Sequence, residues 1–306
     1  MSWTMTAELI AAFLRANVAA GAATLLALAL RGPMRRRFGA QTAYLLWAVV
    51  PAAAAASLLP ARVIMVSASA VPGPLARLAL ALPGGEIAGL WLAGALAAMT
   101  AMAWGQIAFL RRAAAGAAGP AMVGVIAPRL VIPSDYHARF TPEERELVRA
   151  HERVHVERGD PRVNALAAAA QCLNWFNPLI HVAAHFMRLD QELACDAVVV
   201  TRRPTERRRY AEALLKTQLG GLVLPLGCQW PARGMHPFEA RLAQLALPRA
   251  TSVQLQRGAR LVALAGLVAS VAVWAARPVE TVGPPAARPM TLYLDIVPPA
   301  AQAHKN

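Results

Sequence analysis

The chain has 306 residues, 57% of them hydrophobic and 16% charged, with a mean hydropathy of +0.41. A disordered chain has few apolar residues and a high charge fraction, so this composition excludes one. It also argues against an ordinary soluble enzyme. The question becomes whether the apolar residues fall in runs of about 20, the length that crosses a bilayer.

Lys and Arg total 31 against 17 Asp and Glu, a net charge of +14, and just two of the cations are lysines, Lys216 and Lys305. No basic stripe interleaved with aromatics stands out. The charge is therefore read as the topology-setting loops of a membrane protein, not as a nucleic-acid surface. Cys172, Cys195 and Cys228 form no CxxC pair, which fits a reducing compartment. The start, MSWTMTAELI, lacks a basic n-region and its apolar run is too long for a signal peptide, so the first helix is expected to stay.

Four apolar runs follow in chain order: 6–30, 41–59, 87–110 and 260–276. Between the first two lies RGPMRRRFGA, with Arg31, Arg35, Arg36 and Arg37 and no acid. The third run ends at Arg111 and Arg112. By the positive-inside rule the first loop and everything from 111 to 258 are expected in the cytoplasm, with both termini and the second loop outside. The expected division is 1–110 for three spans, 111–258 for a cytoplasmic domain, 259–276 for a fourth span and 277–306 for a Pro-rich tail. That domain holds 20 of the 31 basic and 13 of the 17 acidic residues. TLYLDIV in the tail reads as one short strand.

Within the domain, AMVGVIAPRLVIP predicts two short strands around Ala127-Pro128. Thr141-Pro142-Glu143-Glu144 is a helix start, with Thr as cap, Pro at the first position and Glu three after the cap. That helix is expected to reach Gly159, a second to cover 161–173, a third to run from Asn177-Pro178 to Val200, and RRPTERRRYAEALL to form a fourth.

The first of these helices contains HERVH: His151, Glu152 and His155. Residues four apart on a helix differ by about 40° in direction, so both imidazoles project from one face and can share a zinc ion. Glu152 lies beside them, where it can take a proton from water that the ion activates. This is the HExxH arrangement of zinc proteases. The best third ligand lies 37 residues past His155, in DQELACD. Glu192 is the expected ligand. Asp196, one turn on, is the carboxylate expected to accept a ligand imidazole N–H, with His151 the likelier recipient. Rival ligands are His181, His185 and Cys195. The two histidines lie two or three turns from Glu192 and read as polar residues in an apolar helix, and Cys195 reads as a small buried residue. His137, His236 and His304 are assigned no role. Arg188 is a candidate oxyanion contact. Arg129 to Pro133 is a candidate strand edge for an extended substrate, and equally an ordinary strand.

One crossing between His155 and Glu192 would put the ligands on opposite sides of a bilayer. The apolar stretch 164–187 is therefore read as a hairpin that turns near Asn174–Pro178 and packs in the domain or dips into the inner leaflet. The fold class that results is a polytopic α-helical membrane protein of about four spans, with an inserted, mainly α, α+β zincin-like cytoplasmic metallopeptidase domain.

HERVHVERGD (151–160), WFNPLIH (175–181) and DQELACDAVV (190–199), with weaker echoes in RYAEAL (209–214) and HPFEARLAQL (236–245), resemble the BlaR/MecR type of bacterial antirepressor membrane zinc peptidases. The layout of spans and domain is similar too. The resemblance implies one zinc ion per chain on His151, His155 and Glu192, Glu152 as the base and Asp196 behind the ligands. It implies a protein or peptide substrate, such as the chain itself or a winged-helix repressor, cut in response to an external signal. The lipid bilayer and a second copy of the chain are further expected partners, with no direct contact to nucleic acid. Antibiotic-sensing members carry a penicillin-binding domain after the last span. Here about 30 residues follow that span and no Ser-x-x-Lys occurs, so β-lactam sensing is not expected of this chain. Two other readings compete: a housekeeping membrane quality-control protease, and a non-enzymatic receptor or scaffold.

Overall fold

A computed structural model describes residues 3–60, 63–65, 84–219, 237–276 and 280–282, and nearly all of them are helical. Helix α1 runs Trp3–Phe38 and takes in Arg31, Arg35, Arg36 and Arg37, which the sequence suggested as a loop. Arginine is a good helix former, and the helix runs on past Pro33, despite the backbone donor lost there, until Gly39. That glycine adopts φ 92°, open to a residue without a Cβ, and turns the chain into α2 (Ala40–Leu45). A 3-10 turn at Leu46–Ala48 and α3 (Val49–Ala56) complete the second apolar segment. Then come β1 (Val63–Met65) and α4 (Gly84–Ala114).

The polar region follows. Strands β2 (Ala121–Val123) and β3 (Arg129–Val131) pair antiparallel on either side of Ala127-Pro128, as predicted. Next are α5 (Tyr136–Arg139), α6 (Pro142–Arg158), α7 (Asp160–Leu173) and α8 (Pro178–Arg202). Helices α9 (Arg207–Leu219) and α10 (Pro237–Ala246) complete it. Helix α11 (Ser252–Ala275) begins well before the apolar run at 260, because Thr251 and Gln254 form a capping box. Strand β4 (Glu280–Val282) pairs parallel with β1. Most of the second loop and the strand expected in TLYLDIV lie outside the described residues.

Among the described residues three helices are long and apolar enough to cross a membrane: α1 over Glu8–Phe38, α4 over Gly85–Ala114, and α11. The stretch Ala40–Ala56 is apolar but shorter. At about 1.5 Å per residue it is about 25 Å long, less than a hydrocarbon core of about 30 Å.

Helices α7 and α8 form the expected apolar hairpin, and it lies against the long apolar helices. Helix α8 runs parallel to α1. Asn177, its cap, donates to Asn17 at 2.9 Å, while Asp190, near its middle, meets Arg31 at 2.8 Å. Small residues allow the approach: Ala19, Ala20, Ala23 and Ala27 on α1 share one buried cluster with Ala183 on α8. The turn at 174–177 sits between α1 and α4. The Phe13 ring lies 5.6 Å from Trp91 and 5.9 Å from Phe176. Gly94 leaves room for Trp175, whose indole is 2.1 Å from where a Cβ would stand. Polar groups of the turn are paired: Asn177 Oδ1 accepts from Leu179 N–H, Trp175 Nε1 donates to Trp91 O, Trp91 Nε1 donates to Leu173 O, and Asn174 donates to Ala170 O. Irregular backbone among apolar helices requires such pairing.

Candidate metal centre

Helix α6 starts at the capping box read from the sequence. Thr141 accepts from Glu144 N–H, Glu144 accepts from Thr141 N–H, and Lys216 on α9 grips the same carboxylate at 2.7 Å. The helix ends at Gly159, whose left-handed φ of 72° reverses the chain so that Asp160, the first residue of α7, turns back under the last turn of α6. Leu147 and Val154 of α6 pack with Cys195, Val199 and Val200 of α8, Tyr210 of α9 and Leu245 of α10. That buried cluster fixes α6 against α8.

The packing brings together His151, His155 and Glu192. The two Nε2 atoms are 3.1 Å apart, and the Glu192 oxygens lie 3.4 Å from each. Both Nδ1 atoms are taken. His155 Nδ1 lies 2.7 Å from Asp160 Oδ2, to which it donates. His151 Nδ1 lies 2.8 Å from the Tyr210 hydroxyl, which donates its own proton to Asp196 Oδ1 at 2.6 Å. With the Nδ1 atoms protonated, each Nε2 presents a lone pair to the other and to a carboxylate oxygen. Such a convergence is repulsive until a cation or proton enters it. A tetrahedral zinc ion with bonds of about 2.0–2.1 Å sets its ligand atoms about 3.3 Å apart. The donor set and its spacing therefore fit zinc.

Asp196 does stand behind His151, but mainly through Tyr210; its own oxygen is 3.3 Å from Nδ1. With Tyr210 and Asp160, Arg241 on α10 is one of three groups at the site that sequence reasoning missed. Its Nε and Nη2 donate to the two Asp196 oxygens at 2.9 and 2.8 Å, and its Nη1 lies 3.0 Å from Glu192. Two carboxylates one turn apart on a buried helix face require a cation, and that was the available signal.

Electrostatics follow from this cage. Burial opposes the charge on Asp196, yet Arg241 and the His151 hydrogen bond hold it down to about 2. Burial opposes Glu192 as well, and Arg241 and His155 keep it well below the ordinary carboxylate range. Burial disfavours protonation of His155, but Glu192 and Asp160 raise its affinity for a proton well above the usual. The same carboxylates raise the affinity of that nitrogen for any other Lewis acid. Glu152, half-buried on the neighbouring turn, is pushed up by burial. Its environment makes it a better proton acceptor than a free carboxylate.

Rival ligands fall elsewhere. His181 contacts Gln171 and Trp175 O, at the hairpin. The His185 ring stacks edge-on with Phe186. Cys195 is buried 3.3 Å from His155 Nδ1, on the side away from the Nε2 pair, and accepts from Arg158. His155, Asp160 and Cys195 form a second cluster of donor atoms, but the Arg158 guanidinium already supplies its positive charge. Arg188 donates to Gln171 at 3.0 Å and is not among the groups gathered at the His–Glu cluster. Arg129 is exposed on β3, whereas β2 is the strand in contact with α6.

The chain is similar to bacterial regulatory and resistance proteins. Regulatory protein BlaR1 of Bacillus licheniformis is 32% identical over 98 residues, which is 32% of this chain and 16% of that protein. The methicillin resistance mecR1 proteins of Staphylococcus aureus and Staphylococcus epidermidis are each 29% identical over 101 residues, 33% of this chain and 17% of the relative. The matched segment thus spans about a sixth of the length of these curated relatives. No solved structure matches. The model of the BlaR1 peptidase M56 family matches residues 11–80 and 112–245, together two thirds of the chain. The chain therefore belongs to the BlaR1 peptidase M56 family.

Proposed function

We propose that the chain is a membrane-embedded zinc endopeptidase that serves as a signal-transducing antirepressor, cutting itself, a cytoplasmic transcriptional repressor, or both. In this reading α1, the segment 40–56, α4 and α11 cross the bilayer, both termini lie outside, and residues 111–258 form the catalytic domain in the cytoplasm. The signalling half rests on family membership. The chemical half is carried by one observation: two imidazole Nε2 atoms 3.1 Å apart, each 3.4 Å from one of the two Glu192 oxygens, with both imidazole tautomers set by groups behind them.

His151, His155 and Glu192 would hold one zinc ion. When bound, zinc supplies Lewis acidity, polarising a peptide carbonyl and making water more acidic. Glu152 takes the proton of the attacking water and returns it to the leaving amine. Asp160 holds the His155 ring, and Asp196 holds the His151 ring through Tyr210, so neither imidazole can rotate its lone pair away. Arg241 keeps Glu192 and Asp196 ionised. Arg129 marks the outer strand of a sheet that could bind an extended substrate.

The test compares cells expressing wild type, Glu152→Ala and Glu192→Ala, by zinc content of the purified chain and by a catalogue of new protein N-termini. Glu152→Ala is expected to keep zinc and lose every dependent cut, and Glu192→Ala to lose zinc. Full zinc occupancy in Glu192→Ala overturns the ligand assignment. Dependent cuts spread over many membrane proteins replace signalling with quality control.

A further inference from the structure

Seven arginines gather around the end of α1 and α11 that the proposed topology puts in the cytoplasm. Two cavities meet there. An open groove of 570 Å³ has Arg37, Arg257 and Arg260 on its walls, with Phe38 and Leu261 on its apolar side. A deeper cavity of 400 Å³ has Arg35, Arg36, Arg37, Arg207 and Arg249. Arg37 and Gln254 line both, so the two form one recess. Its walls are fixed: Gln254 Nε2 donates to Arg37 O at 3.3 Å, while its Oε1 closes the capping box of α11. No carboxylate lines either cavity. Arg35 lies 3.7 Å from Asp190, and none of the other six arginines has a carboxylate partner among the described residues.

We propose that this recess is a binding site for the phosphate of an anionic phospholipid headgroup. Guanidinium groups pair with phosphate oxygens through two parallel N–H donors, and so many unpaired arginines repel one another until an anion enters. The lipid source follows from position. Arg35, Arg36 and Arg37 end α1, Arg257 and Arg260 lie in the first turns of α11, and Arg207 and Arg249 flank them from α9 and the loop before α11; in the proposed topology this end of α1 and α11 meets the headgroups. Leu261, Leu264, Leu267 and Val268 continue from the groove as an exposed apolar strip along α11, a path for an acyl chain. A soluble phosphate would use the arginines but not this strip. The recess joins α1 and α11 to Thr201 of α8 and Gln244 of α10, the two helices that bear Glu192 and Arg241. The inference does not depend on the peptidase reading.

Native mass spectrometry of the full chain, titrated in turn with phosphatidylglycerol, phosphatidylcholine, inorganic phosphate and a short DNA duplex, tests it. Wild type is expected to retain phosphatidylglycerol selectively. R37Q/R257Q is expected to weaken that binding about thirtyfold, at about 1 kcal/mol per arginine near an anionic surface. R111Q/R208Q, which removes equal charge elsewhere, is expected to leave it unchanged. Equal retention of phosphatidylcholine, or equal loss in R111Q/R208Q, overturns the site. Tighter binding of inorganic phosphate or of DNA overturns the lipid assignment. Should R37Q/R257Q fail to fold, wild type alone decides: phosphatidylglycerol raises its Tm and phosphatidylcholine does not, and equal shifts overturn the proposal.

Discussion

Tyr44, in the second apolar segment, donates its hydroxyl to Oδ1 of Asp160 at 3.0 Å, while Oδ2 of the same carboxylate holds His155 Nδ1 at 2.7 Å. Gln191, next to Glu192, donates back to the Tyr44 hydroxyl at 3.0 Å, and Arg158 lies 4.3 Å over the Tyr44 ring. The candidate site is thus tied to the second apolar segment through Asp160 and Gln191.

Groups that orient a ligand imidazole typically govern 10- to 100-fold of metal affinity. Asp160→Asn is expected to weaken zinc binding within about that range, because the amide cannot accept as strongly. Tyr44→Phe acts one bond further away and is expected to weaken it less while keeping the fold. Competition with a graded chelator series on the purified chain measures both. Unchanged affinity in Asp160→Asn would remove Asp160 from the site.

Arg241→Leu leaves Asp196 and Glu192 facing each other without their cation. Breaking a buried pair by removing one partner costs about 3–5 kcal/mol. The metal-free variant is expected to melt well below wild type. Saturating zinc should recover more Tm in this variant than in wild type, since an ion between the imidazoles and Glu192 replaces part of the lost charge. Melting curves with and without zinc test this, and equal zinc shifts in the two proteins would contradict it.

Asp190 is fully buried and takes two hydrogen bonds from Arg31, at 2.8 Å each, and one from Trp47 at 2.9 Å. Arg31→Met alone is expected to cost up to about 3–5 kcal/mol by removing the two-bond partner of that carboxylate and leaving Trp47 and the more distant Arg35, at 3.7 Å. Arg31→Met with Asp190→Asn should recover much of the loss. A double-mutant cycle on Tm reads the coupling directly. Additive losses would show that the pair acts as two independent residues.

Gly94 is where α4 admits the hairpin, and Gly94→Val would press a side chain into Trp175. The variant is expected to pull Trp175 away from Trp91, seen as a change in tryptophan emission, and to lower Tm. Gly94→Val with Trp175→Ala should restore part of the stability. An unaffected Tm in Gly94→Val would mean that the two helices do not press together there.

HERVH and DQELACD could be joined from the sequence because a spacing of four is a property of the helix itself. Nothing in local periodicity reveals Tyr210 or Arg241, which reach the site from two other helices whose docking is decided by packing around Leu245, Val199 and Leu214. Asp160 stands five residues after His155 and reads as surface, because the left-handed turn at Gly159 that brings it back is a single-residue event. The arginines at 31–37 read as a loop, since charge marks a membrane boundary and not a break in the helix. The hairpin at 164–187 was legible from a topological argument, that both ligands must lie on one side; its depth against α1 and α4 came from alanine faces that a hydropathy count does not weigh.

Helix α8 is one rod with two fastenings and a ligand arm. Its cap is tied to Asn17 and its Asp190 to Arg31, and Glu192 projects just beyond the second tie. From the cap to Glu192 the rod is about 22 Å long at about 1.5 Å per residue. A tilt of about 5° about the capped end swings Glu192 by about 2 Å, more than half of the gap that now separates it from either histidine. The candidate centre therefore sits at the moving end of a lever whose fulcrum lies among the apolar helices. Bending α1 against α4 would reach the spacing of Glu192 from the histidines through α8.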